Sequence, residues 1–253
     1  MIPLSGVIIT YNEEKNILRC LNSIKDIVDE IIVVDSFSTD KTESICKNFN
    51  TIFIKQKFLG HIKQKNFAIK QASNNFVLCL DADEALCPTL KKSILKVKKN
   101  CNEDSYSFNR ITNYNGYWVR HCGWYPDKKI RLFDKRKACW GGVNPHDKVI
   151  LAEGASHKHI DGDILHYSYH SISEHIQQTD KFSTIAAKEA YRNGIKSNWL
   201  KIYLRTIFCF FRDYFLKLGI LDGKYGFIIC YINALAVMLK YSKIHDLEKK
   251  KLI

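Results

Sequence analysis

Phe76-Val-Leu-Cys-Leu-Asp-Ala-Asp-Glu84 is an apolar run that ends abruptly in two carboxylates one residue apart, Asp81 and Asp83. A short apolar run bounded by polar residues predicts a buried strand, so both acids emerge together at its C-terminal end. Open α/β sheets bind ligands at that end. Hard oxygen ligands so placed suit Mg²⁺ or Mn²⁺, which bind through one or two carboxylates plus the oxygens of a substrate phosphate. Two solvated acids in a strand-to-helix loop give the same short pattern, so the surrounding sequence has to decide.

Upstream, strand and helix patterns alternate. Leu4 to Thr10 reads as a strand, followed by a helix from about Glu13 with Ile17, Leu21 and Ile24 at i, i+4, i+7. Glu30-Ile-Ile-Val-Val-Asp35 is a second buried strand that also ends in an acid. Lys41 to Phe49 reads as a helix, Thr51 to Ile54 as a strand and His61 to Gln71 as a helix, with Phe76 to Leu80 the fourth strand. Such alternation predicts βαβ crossovers and a parallel sheet with all strand-end acids along one edge. From Ser105 to Tyr169 the pattern changes to short strand-like pieces, aromatics and turns, which suits acceptor recognition on loops held by a rigid sheet. After Ser171 it is helical again. The organisation predicted is a catalytic domain over 1–170, with a nucleotide half to 100 and an acceptor half from 101, then a helical region over 171–253.

The chain has 253 residues, 46% hydrophobic and 26% charged, an ordinary globular composition rather than a disordered one. Nine cysteines without a Cys-x-x-Cys pair point to a reducing setting, with Cys20, Cys46 and Cys79 as small core residues. The N-terminus lacks the basic start and long apolar stretch of an export signal, so a cytoplasmic location is expected. Of the formal charge of +13, a net of +9 falls after residue 180. A basic surface serves nucleic acid, anionic lipid or solubility. A nucleic-acid-binding module would rest on that charge alone and has no recognisable binding motif here, so no nucleic-acid partner is expected.

Three loops share the inferred edge: Thr10-Tyr11-Asn12-Glu13-Glu14, Asp35-Ser-Phe-Ser-Thr-Asp-Lys-Thr42 and Asp81-Ala-Asp83. A nucleotide needs a carboxylate or amide for its base and ribose and a cation for its diphosphate, and these loops hold both kinds of group. Asn12 and Asp40 also suit plain helix capping. The order Val-Ile-Ile-Thr-Tyr-Asn-Glu-Glu, Val-Val-Asp-Ser-x-Ser-Thr-Asp-x-Thr, Gln64-Lys65-Asn66 and Leu80-Asp-Ala-Asp-Glu resembles the family 2 glycosyltransferases. The resemblance implies the GT-A fold, an α/β, Rossmann-like, mostly parallel sheet with flanking helices. It implies that Asp35 and the loop Thr10, Tyr11, Asn12 and Glu13 hold the nucleotide, with Lys65 and Asn66 also on the donor side. Asp81 would lie near ribose and metal, and Asp83 would coordinate the divalent cation.

Arg120-His-Cys-Gly-Trp-Tyr-Pro-Asp127, Lys129-Ile-Arg-Leu-Phe133, Pro145-His-Asp147 and Ile164-Leu-His-Tyr-Ser168 are similar to the branch containing lipopolysaccharide inner-core β-1,4-glucosyltransferases. That likeness implies a UDP-glucose donor and a lipid-linked saccharide acceptor, a core heptose or a polyprenyl-linked glycan. It implies inversion at the sugar carbon, which needs a carboxylate base on the face opposite the departing diphosphate. Asp147 is the candidate, with Asp where the branch has Glu. His166 is a candidate third metal ligand or a hydrogen-bonded core residue. Arg131 could grip the diphosphate or an anionic acceptor, and Trp124 could stack on a sugar or belong to the core. A haloacid-dehalogenase-type phosphatase also opens its site on Asp-x-Asp, but that family places the pair near the chain start with Thr or Val soon after.

From Leu200, apolar residues recur at Leu204, Ile207, Phe211, Phe215 and Leu218, beside Lys201, Arg205 and Arg212. This predicts a basic amphipathic helix. Beyond a break at Leu221-Asp-Gly223, Tyr225 to Leu239 is almost wholly apolar, yet its fifteen residues fall short of the ~20 needed to span a bilayer. A helical hairpin lying on a membrane surface or partly embedded in it is expected, ending in the basic Lys249-Lys-Lys251, which anionic lipid attracts. A C-terminal helix pair packed on the catalytic domain is the plainer possibility. Together these features predict a peripheral protein on the cytoplasmic face of the inner membrane.

Overall fold

A computed structural model of the chain describes residues 1–143 and 146–250, without the side chains of Val143, His146 and Lys250. Pro145 and Lys251 therefore lie outside the described residues. Two compact units divide the chain, one of Met1–Ile111 with Asp127–Tyr167, the other of Thr112–Pro126 with the chain from Ser168 onward. Thr112–Pro126, which the sequence reading keeps with the first 170 residues, groups with the helices.

The first unit is built on a sheet whose central order is β3 (Ile52–Lys55), β2 (Glu30–Asp35), β1 (Leu4–Thr10), β4 (Phe76–Asp81), β8 (Asp127–Asp134), β6 (Ser105–Tyr114), β11 (His157–Tyr169) and β5 (Glu84–Leu86). The first three pairings are parallel, as the βαβ alternation predicts. β8 then runs antiparallel to both β4 and β6. The sheet is mixed for that reason: parallel where helices cross over, antiparallel where the second half returns by short turns. The helices α1 (Ile17–Ile24), α2 (Thr42–Lys47), α3 (His61–Lys70) and α4 (Pro88–Lys99) flank it. α1 starts four residues after Glu13 because the chain first makes a loop pinned by side chains of the neighbouring one, described below.

Both faces of the parallel part are covered, which is why its strands read as continuous apolar runs. Alternate residues serve alternate cores. Leu4, Ile8, Leu78 and Leu80 pack with Ile17, Leu21, Ile24, Leu90 and Ile94 of α1 and α4. Val7, Ile32, Val34, Val77 and Cys79 pack with Ala68 and Ile69 of α3. Cys20, Cys46 and Cys79 are buried free thiols, as the sequence suggests. β11 passes so close to α4 that a Cβ on Gly162 would come within 2.4 Å of the Leu90 backbone nitrogen. β9 (Ala138–Val143) and β10 (His146–Leu151) form a separate antiparallel pair in the same unit.

The second unit combines α5 (Ile172–Arg192), α6 (Trp199–Phe211), a π turn over Arg212–Leu216, a 3₁₀ turn over Gly219–Asp222 and α7 (Gly223–Lys250) with the short strand β7 (Tyr117–Val119). Ser171 and Asn198 cap α5 and α6 by accepting from Glu174 N and Lys201 N. α7 corrects one expectation. The helix runs well beyond Leu239, and Gly219–Lys249 is long and apolar enough to cross a membrane by length and composition. It extends because its less apolar end packs on α5, Ile244 meeting Ala187 and Ala190, rather than because the apolar run continues.

Trp124 lies in this unit, in an aromatic cluster with Tyr114, Tyr169 and His175 at centroid distances of 6.1, 5.7 and 5.6 Å. Burial pushes the His175 imidazole down to about 4, and its Nδ1 lies 3.1 Å from the Tyr114 hydroxyl. The sign of the effect follows directly. Above the ordinary value near 6.5 both states are neutral and the fold keeps its full stability; between about 6.5 and 4 only the unfolded chain takes up the proton, so stability falls. His175→Gln should remove a loss of roughly 2 kcal/mol over that window, measured as the difference between wild-type and variant urea denaturation at pH 7 and pH 4.5.

Candidate active site

Register assembles the site. Thr10 pairs with Asp35 across β1 and β2, and Ile9 pairs with Asp81 across β1 and β4, so the three strand ends lie in a row. β1 sits between β2 and β4, where the order of connection reverses and a crevice opens. The two flanking loops are tied together. Asn12, in the left-handed region at φ 54°, accepts from Thr39 N at 2.8 Å, while its own N donates to Ser38 Oγ at 2.8 Å. Asp40 accepts from Glu14 N at 3.0 Å and Thr42 N at 2.9 Å, and Glu13 N donates to Thr42 Oγ1. Asp40 thus closes the turn before α2, whose N-cap position is Lys41 without a side-chain cap, and it also anchors the first loop.

Asp35 is fully buried and accepts from the Ser38 amide and hydroxyl. Among the described residues the buried Thr10 hydroxyl has no hydrogen-bond partner, whereas Tyr11 is exposed. Burial raises the Glu13 carboxyl, a hydrogen bond from Asn16 offsets part of this, and the nearby Asp83 raises it further.

The carboxylate pair divides its surroundings. Asp81 receives Lys65 Nζ at 2.9 Å and Arg131 Nη2 at 2.9 Å. Burial opposes its ionisation, but Lys65 and Arg131 outweigh that and hold its carboxyl well below the usual range. Asp83 faces His166, Oδ2 to Nε2 at 3.1 Å, because β11 pairs with β5 through His166 and Glu84 and because Tyr167 N donates to Asp83 O. The buried Nδ1 of His166 has no partner among the described residues. One carboxylate and one imidazole, with Asp81 next along the strand end, form a donor set that suits a divalent cation completed by phosphate oxygens. Among the described residues, no group of three or more His, Cys, Asp and Glu side chains is arranged to hold an ion unaided.

Asp147 reaches this row from β10. Asn66 clamps the Trp140 backbone, accepting from its N at 3.0 Å and donating to its O at 2.8 Å, which seats β9 on α3. Asp147 lies opposite Gly142 in the β9–β10 pair, and its Oδ2 lies 2.9 Å from Lys65 Nζ. Lys65, 7% exposed, therefore bridges Asp81 and Asp147. The Trp140 ring lies beneath both cations, 4.4 Å from Lys65 Nζ and 5.1 Å from the Arg131 guanidinium carbon.

Three expected ligand contacts are placed differently. Arg131 is 4% exposed and engaged by Asp81 and Glu84, because β8 points it inward under the strand ends. The Asn66 amide is engaged at both ends by Trp140. Trp124 belongs to the other unit. Conversely, Glu84 is absent from the site residues chosen by sequence, yet it accepts from Asp81 N at 3.0 Å and from Arg131 and Arg110 at 2.9 and 3.3 Å. Its place directly after the pair was a legible signal; Arg110, early in the acceptor half, offered none. Removing the shared cation leaves the half-buried Asp81 with Lys65 alone and the buried Glu84 with Arg110 alone, so Arg131→Met should cost roughly 3 kcal/mol, measured by chemical denaturation, and Arg131→Lys less.

The chain resembles several known proteins along most of its length. Over its whole length the chain is 31% identical to an uncharacterized glycosyltransferase, RP128, of Rickettsia prowazekii, with 99% of this chain and 89% of that one covered. It is 27% identical to the lipopolysaccharide core biosynthesis glycosyltransferase LpsC of Rhizobium meliloti, over 97% of this chain and 93% of that one. Among solved structures, S. aureus TarS 1-349 matches at TM-score 0.45 and 17% identity over 99% of this chain and 92% of that one. Residues 5–150 match glycosyl transferase family 2, so the chain belongs to that family.

Proposed function

We propose that this glycosyltransferase is inverting and moves a hexose, glucose from UDP-glucose, onto a lipid-linked saccharide acceptor of the lipopolysaccharide inner core, a heptose. The observation that carries the reading is the row Thr10, Asp35, Asp81 with Asp83 beside His166 and Asp147 held at Lys65. The likeness to LpsC over nearly the whole chain supports the acceptor class, and the basic, aromatic C-terminal helices support a lipid-linked one acting at the cytoplasmic face of a membrane.

In this reading Asp35 and the Thr10–Glu13 loop hold the uridine, with the unpartnered Thr10 hydroxyl free to bond it. Asp83, Asp81 and His166 would hold Mg²⁺ or Mn²⁺, which supplies positive charge against the diphosphate oxygens. Asp147 accepts the proton of the acceptor hydroxyl as that oxygen bonds the anomeric carbon. The bond from that carbon to the diphosphate breaks with its electron pair, and UDP departs. Lys65 fixes Asp147 and places a cation beside the leaving group's strand end.

The test is a screen of nucleotide sugars against a heptose-terminated core acceptor and a polyprenyl-linked glycan, with products identified by mass spectrometry. A hexose added to the core heptose is expected. Transfer to the polyprenyl glycan alone would reassign the acceptor, and release of phosphate without sugar transfer would defeat the reading.

A further inference from the structure

The apolar stripe of the α6 segment does not face the protein. Leu200, Leu204, Ile207, Phe211, Phe215 and Leu218 are all exposed, from 48% to 67%, while the opposite side buries Ile202 and Cys209. Trp199, Tyr203 and Phe208 widen the patch at 60–62%, and Phe227 and Tyr231 continue it onto α7. A patch of this extent on a single unit marks an interaction surface rather than scattered exposed apolar residues.

Charge identifies the partner. Between residues 199 and 231 the acids are Asp213 and Asp222, and both are buried. Asp213 is neutralised by Arg212 and Lys217, at 2.8 and 3.0 Å, and Asp222 accepts hydrogen bonds from His121 N at 2.8 Å and the Tyr117 hydroxyl at 3.1 Å. Lys201, Arg205 and Lys224 have no acidic partner among the described residues, so the exposed charge around the aromatic patch is positive. We infer that α6, its π turn and the first turns of α7 form an in-plane anchor that inserts Tyr203, Phe208, Phe211 and Phe215 into an anionic bilayer. Basic residues rim an aromatic face at the depth where headgroups meet acyl chains. A second copy of the chain fits less well, because two such faces would set cation against cation.

The anchor lies in the membrane plane and does not span. α5 packs along α7, with Lys243 Nζ on Asp180 at 2.6 Å, and it carries exposed Glu174, Lys181, Lys188 and Glu189. A spanning α7 would draw those charges into hydrocarbon, which is expensive. The proposal deepens the reading of a lipid-linked acceptor and rests on it for placing the chain at a bilayer, while the surface is read from the helical unit alone.

The experiment is flotation of the full chain with vesicles of equal phosphatidylglycerol and phosphatidylcholine, and with phosphatidylcholine alone. Wild type should float with the anionic vesicles. Tyr203→Ser/Phe208→Ser/Phe211→Ser, at exposed positions that leave the fold intact by circular dichroism, should lose at least about tenfold in partitioning. Lys201→Glu/Arg205→Glu should lose the anionic preference. No flotation of wild type, or equal flotation of the aromatic variant, overturns the proposal. So does a wild-type dimer in sedimentation velocity that the aromatic variant dissolves, since that assigns the face to a second copy. Transfer to a delipidated core oligosaccharide should be unchanged in both variants. Its absence in wild type would defeat the proposed activity and leave the lipid anchor standing.

Discussion

Asp147→Asn should bind the UDP-sugar donor as wild type does and turn it over about 10²–10⁴ times more slowly. An amide of the same shape keeps β10 in place but cannot accept the acceptor's proton. Asp81 still holds Lys65 at 2.9 Å in the variant, so the donor side of the site survives. Single-turnover rates with saturating acceptor, beside calorimetric donor affinity, separate the two effects. A near-normal rate would remove Asp147 from the base position. Parallel losses of rate and affinity would make it a donor-binding residue instead. Either outcome also bears on Lys65, whose ammonium engages both the Asp81 and the Asp147 carboxylates.

Asp83→Ala should reduce kcat/KM by at least about 10³-fold, because charge developing on the diphosphate then lacks a correctly held cation. The stability cost should be small. The Asp83 carboxylate pairs with His166, while the contact that holds the strand, Tyr167 N to Asp83 O, is backbone and persists. Thermal melting of the variant within a degree or two of wild type, with activity lost, distinguishes this from unfolding. An active variant would move the cation site elsewhere.

The parallel half of the fold was legible because burial on both faces writes each strand as an unbroken apolar run closed by an acid, and the crossovers force those ends to one edge. Leu4–Thr10, Glu30–Asp35 and Phe76–Asp81 are found within a residue of where periodicity places them. The antiparallel strands were not legible individually. Aromatics, turns and alternating residues over Ser105–Tyr169 have no single period, and their positions follow from partners far away in sequence.

The same contrast runs through the site. Asp81 and Asp83 announce themselves as neighbours, but their division of partners does not: it depends on β8 bringing Arg131 from below and β11 bringing His166 from the side. Arg131 looked like a phosphate grip because sequence records charge and not direction. The Asn66 side chain likewise looked like a ligand contact, although its two hydrogen-bonding ends match the Trp140 backbone. For α7, the apolar run was visible, but the length of the helix was set by packing on α5, which leaves only a weak periodic trace.

Calorimetric titration of UDP into the full chain, with Mn²⁺ and then with EDTA, reaches the strand-end carboxylates most directly. Binding should be tight with Mn²⁺, much weaker with EDTA, and equally weak in Asp83→Ala whether or not Mn²⁺ is present. Binding of UDP that is indifferent to both the cation and Asp83 would contradict a donor site built on this pair.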